Sequence, residues 1–75
     1  MLARLPGVQA KDIVRALERA GFEFERQKGS HVILRDPATA RTTVVPMHSG
    51  EFRRWLLKRI IREAGLTEEQ FRHYL

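Results

Sequence analysis

Apolar and polar positions change period along this chain, and each change predicts an element. From Gln9 to Ala20 the period is helical: Ile13, Leu17 and Ala20 fall at i, i+4 and i+7, Val14 widens the stripe, and Lys11, Arg15, Glu18 and Arg19 take the other side. Gly21 suits the left-handed residue that closes a helix. No strong N-cap precedes the stripe, but Asp12 in the first turn favours the helix dipole. Leu5-Pro6-Gly7 reads as a turn ahead of it. From Phe22 to Gln27 the period shortens toward two, a strand with Phe22 and Phe24 on one face. Lys28-Gly29-Ser30 is a tight connection in which glycine can supply a positive φ. His31 to Arg35 is a second strand, Asp36 to Ala40 a loop, and Arg41 to Val45 a third strand cut by Pro46, which cannot donate to a ladder.

The helical period then returns. Phe52, Leu56, Ile60 and Ala64 are spaced by four, with Leu57 and Ile61 beside them. The start is expected at His48 or Ser49, with Ser49 the better N-cap, and the end at Gly65. Thr67 and Gln70 form a capping-box pattern for a short last helix reaching Tyr74, with Phe71, Tyr74 and Leu75 apolar. Short connections make the strands an antiparallel meander. Both long helices have one apolar stripe and can share one sheet face, so the expected fold is a two-layer α+β sandwich, one domain over residues 1–75. In the second strand Val32 and Leu34 share one face; His31, Ile33 and Arg35 share the other. The charged side is expected to face solvent, leaving Ile33 as an exposed apolar residue.

Composition narrows the partners. Lys and Arg number 14 against 9 acids, a net charge of +5 and a pI near 10.8. That balance suits a polyanion, an acidic protein, or an ordinary solvated basic surface. Between Ser49 and Arg62 there are five cations and one acid, Glu51. Arg54, Lys58 and Arg62 recur every four residues, a stripe able to track phosphates or simply to keep the helix soluble. Trp55 beside them can stack on a base, anchor a protein, or bury itself at the helix edge, the blandest of the three. A 75-residue chain builds only a small core, worth a few kcal/mol net. No cysteine is present, so disulfides and thiolate metal sites are out of reach, in keeping with a reducing cytoplasm. His31, His48 and His73 lack ligand spacing, so neither metal nor cofactor is expected. No apolar run approaches the ~20 residues of a membrane span. The segment Met1 to Gly7 is too short and broken for a signal peptide.

The stretch from Gln27 to Arg35 concentrates the candidate chemistry. It joins a titratable side chain (His31), a hydroxyl (Ser30), a glycine whose backbone can approach a ligand (Gly29), and flanking cations (Lys28, Arg35). An imidazole exchanges protons near neutral pH. The plain alternative is a surface histidine with no role. His48 is either a second acid or base or the lead-in to a helix, and His73 reads as a solvated helix-end residue.

On these residues the chain resembles the HicA toxins, the mRNA interferases of HicA–HicB toxin–antitoxin pairs. The matching pieces, in order, are Lys11 through Leu17, Ala20-Gly21-Phe22, Gln27-Lys28-Gly29-Ser30-His31, Val45-Pro46-Met47-His48, and Ile60 through Leu66. Gly-Ser-His alone is a weak signal; the ordered set covers most of the chain. One departure stands out: where many members have Gly-Thr-Leu at the start of the last long helix, this chain has Arg54-Trp55-Leu56. The resemblance implies a double-stranded-RNA-binding-domain-like α-β-β-β-α fold, metal-independent endoribonuclease activity on mRNA in the cytoplasm, His31 as the catalytic residue, and a HicB-like antitoxin as partner. Such a reaction needs a general base near neutral pH and cations around the phosphate, because RNA carries its own nucleophile in the 2′-OH. Lys28, Gly29, Ser30, Arg35, His48, Arg54, Lys58 and Arg62 are the supporting or RNA-binding candidates. The second function class is a non-catalytic RNA-binding module of the same topology, which would read duplex RNA by shape and would need no histidine after the turn.

Overall fold

The computed structural model describes residues 7–75, in the order α1 (Ala10–Arg19), β1 (Glu23–Lys28), β2 (His31–Asp36), β3 (Arg41–Pro46), α2 (Arg54–Glu63) and α3 (Glu68–Tyr74). The strands form one antiparallel sheet in the order β1-β2-β3. The expected α+β, α-β-β-β-α layout with a short last helix is what the chain adopts. Of the turn expected at Leu5-Pro6-Gly7, only Gly7 lies within the described residues.

Ile13, Ala16 and Leu17 of α1, Leu57, Ile60 and Ile61 of α2, and Phe71 of α3 close over Val32, Leu34 and Val45 of the sheet. Both long helices therefore cover one sheet face, as their single apolar stripes require. Gly21 (φ 111°) and Gly65 (φ 74°) end α1 and α2 in the left-handed region, where glycine is least strained. The start of α1 is better capped than its sequence suggests, since the Gln9 N–H donates to the Asp12 carboxylate at 2.9 Å. Thr67 and Gln70 make the reciprocal capping box at α3, at 2.9 and 3.0 Å.

Four expectations change. The second long helix starts at Arg54, with Arg53 at the N-cap, and not at His48 or Ser49. Gly50 has φ 91°, outside any right-handed helix, and the Phe52 N–H donates to the Val8 carbonyl at 3.0 Å instead of entering a helical ladder. Phe22 and Phe24 do not share a buried face: Phe22 is in the core just before β1, whereas Phe24 is 56% exposed. Phe24 lies opposite Leu34 on the helix-covered side, but at the outer strand, where the helices do not reach over it. Ile33 is on the open face as expected, yet only 7% exposed, flanked in register by Arg26 and Val44. Trp55 is not buried at the helix edge; it is 63% exposed.

Candidate active site

The β1–β2 connection is a two-residue hairpin. Gly29 has φ 60° at its first turn position, the arrangement that lets a two-residue loop follow the strand twist. The Gln27 side-chain amide donates to the Gly29 carbonyl at 3.1 Å and braces the turn. Lys28 and His31 are paired across the hairpin, and His31 is paired on its other side with Pro46. The Met47 N–H donates to the Ser30 carbonyl at 2.6 Å, so the exit of β3 is tied to the turn. Lys28, Gly29, Ser30 and His31 are all exposed.

A β-bulge decides which cations share the face with His31. The pairing runs Glu23 with Arg35 and Phe24 with Leu34, skips Glu25, and resumes with Arg26 opposite Ile33, Gln27 opposite Val32 and Lys28 opposite His31. Directly opposed residues of antiparallel strands point to the same side. The extra residue thus moves Arg26 and Lys28 onto the bare face, where uninterrupted alternation would send them to the helix side. Arg26 is a candidate that sequence reasoning missed, since a bulge leaves no mark in the pattern of this strand. It lies 3.5 Å from the Glu25 carboxylate, both side chains being exposed.

The same end of the molecule gathers the starts of both long helices. Glu63 at the end of α2 accepts from the Thr43 hydroxyl at 3.1 Å, near the start of β3, so α2 begins toward the Pro46 end. Phe52, two residues before α2, stacks on the His48 ring with centroids 4.4 Å apart. The start of α1 borders an open depression of about 300 Å³ lined by Gln9, Ala10, Lys11, Met47, His48 and Ser49. His48 is exposed, with Nδ1 3.1 Å from the Ser49 carbonyl, so its ring is held between a hydrogen bond and a stacked phenyl. Helix starts carry partial positive charge, which adds to Lys11, Lys28 and Arg53 there and favours an anion.

The remaining candidates are spread out. Arg35 is on the His31 face but four residues along β2, about 13 Å away. It stands opposite Glu23 and borders a hollow shared with Glu23 and Glu25, an acidic setting for a phosphate ligand. Arg54, Lys58 and Arg62 are exposed on the helix layer; Arg54 lies at the His31 end and Arg62 a helix length away. His73, in α3, is exposed beside Tyr74 and away from these groups. Among the described residues no cluster of three or more His, Asp or Glu is placed to hold a metal ion, and no helix is long and apolar enough to cross a membrane.

The family model described as the HicA toxin of bacterial toxin–antitoxin systems matches residues 10–66, more than half of the chain. The chain belongs to the HicA toxin family. No curated protein matches the chain. The matched residues contain the hairpin, all three strands and both long helices, while α3 lies beyond them. HicA toxins belong to toxin–antitoxin systems, and membership implies an antitoxin partner for this chain. The family is known generally for cleaving RNA.

Proposed function

We propose that this chain is the toxin of a type II pair, a single-domain, metal-independent endoribonuclease that cuts mRNA in the cytoplasm and is silenced by a HicB-like antitoxin. The observation that carries the reading is the exposed His31, set opposite Lys28 on the bare sheet face within the family-matched residues. His31 takes the proton from an RNA 2′-OH as that oxygen attacks the adjacent phosphorus. The bond to the 5′ oxygen breaks, leaving a 2′,3′-cyclic phosphate, and the imidazolium returns its proton to the departing oxygen. Lys28 and Arg26 stabilise charge on the phosphoryl oxygens, Ser30 donates a hydrogen bond, and Gly29 lets the strand approach the backbone.

An antitoxin silences such a site by covering His31 or by blocking RNA from reaching it. The basic surface makes an acidic partner face the natural complement. Induced expression with and without the His31→Ala substitution tests the reading, together with cleavage of purified mRNA. Growth arrest and cleavage that both depend on His31 support it. A wild-type chain that binds RNA without cutting it would leave a binding module in place of an enzyme.

A further inference from the structure

The outer face of α2 sets a tryptophan among unpaired cations. Trp55, 63% exposed, is the most exposed large apolar side chain among the described residues. Arg54, Lys58 and Arg62 follow one another at one-turn intervals, about 6 Å along the axis. Trp55 falls on the same side, three residues before Lys58 and seven before Arg62, away from the buried Leu57, Ile60 and Ile61. Arg54, Lys58 and Arg62 form no ion pair among the described residues; the one acid of α2, Glu63, is 3.9 Å from Arg59 instead.

We propose that this face is a path for an unpaired RNA strand, with Trp55 stacking on a base while Arg54, Lys58 and Arg62 follow the phosphates. The proposal rests on the reading of the chain as an RNA-binding toxin and adds the strandedness of its substrate. Three observations favour it. The cations are evenly spaced along α2 with no acid of that helix between them, Glu68 of α3 bordering only the hollow at the Lys58–Arg62 end, and such a row suits a polymer carrying one charge per unit better than a folded protein with scattered carboxylates. Arg54 lies at the end of the molecule that holds His31, so a strand that turns over that end from the bare face reaches the row at its first member. A tryptophan between phosphate-tracking groups is idle against a duplex, whose base faces are closed by stacking, and is useful against a single strand.

Trp55 is the sole tryptophan of the chain, so its fluorescence reports contact at this face directly. The test uses the full chain carrying His31→Ala, so that RNA survives, titrated at low salt with a short unstructured oligoribonucleotide, a duplex RNA of the same length, and polyglutamate. The unpaired RNA is expected to quench the emission and the duplex to leave it unchanged. Adding Trp55→Ala should weaken binding of the unpaired RNA by about 5- to 150-fold, Trp55→Phe should recover part of the loss, and duplex affinity should not change. Absent quenching, equal affinity after Trp55→Ala, or equal quenching by the duplex overturns the proposal. Tighter binding of polyglutamate than of RNA also overturns it and assigns the face to an acidic protein. Cleavage is read separately. A chain that binds and quenches without cutting defeats the catalytic reading alone, whereas cleavage whose KM ignores Trp55→Ala defeats the α2 path alone.

Discussion

Lys28 and His31 stand opposite each other on the bare side of the sheet because β1 carries one residue, Glu25, that β2 does not match. Without that residue out of step, Lys28 would share a side with Phe24, and the histidine would face a glutamine across the hairpin. The ammonium group beside the candidate base is therefore a product of backbone register as much as of sequence spacing.

His31→Ala is expected to abolish cleavage and toxicity while leaving the fold intact. The side chain is exposed at a strand start and contributes little to the core, so the stability change should stay below ~0.5 kcal/mol. A general base is worth ~100- to 10,000-fold in rate. His31→Gln keeps a hydrogen-bonding group but cannot take up the proton, and should be as inactive. Melting curves alongside cleavage rates check this; a His31→Ala protein cutting at the wild-type rate would end the catalytic assignment.

The bulge makes a prediction about neighbours in sequence. Arg26→Ala and Lys28→Ala should each lower the salt dependence of RNA binding, the slope of log K against log salt falling by about 0.7 per lost contact. Gln27→Ala lies between them on the other side and should leave the slope alone while loosening the brace on the hairpin turn. Equal slopes for all three variants would mean that RNA does not lie on this face.

Replacing Arg54, Lys58 and Arg62 together should flatten the same slope by about 2, three contacts at ~0.7 each for a single strand. The measurement is a set of binding isotherms across salt concentrations. An unchanged slope would show that these cations serve only to keep α2 soluble.

Ala40 is the sole non-glycine residue with positive φ (63°) among the described residues, in the turn between β2 and β3. A left-handed conformation costs an L-residue roughly 1–2 kcal/mol, and the extra freedom of glycine in the unfolded chain takes back ~0.4–1 kcal/mol of any relief. Ala40→Gly should therefore stabilise by about 0.5–1 kcal/mol, raising Tm by roughly 2–8 °C. A lower Tm would refute it.

Much of this arrangement is legible in the amino-acid sequence. The stripes of α1 and α2, the closing glycines Gly21 and Gly65, the Thr67–Gln70 cap, the meander and the solvent-facing side of β2 all follow from local pattern, and all appear in the fold. The misses share a cause: each depends on a contact distant in sequence. Ser49 has the chemistry of an N-cap, but the bond from Phe52 to Val8 and the positive φ of Gly50 hold the segment off the helical path. Ile33 is buried by its lateral neighbours, not by the core. Trp55 is bared because Leu57, Ile60 and Ile61 already fill the contact with the sheet. The candidate site was partly legible, since Lys28-Gly29-Ser30-His31 is contiguous. Arg26 joins it through a bulge, and the gathering of both helix starts is a tertiary fact.

The bulge has one more consequence, for how copies of this chain meet each other. β1 is an outer strand, and the outer edge of a sheet offers its free backbone groups as a template to any other strand. Glu23, Glu25, Arg26 and Lys28 put charge of both signs along it, and the extra residue bends its line. Charge of both signs and a bent line make this edge a poor template for a second copy's strand, the protection that natural sheets use against edge-to-edge pairing.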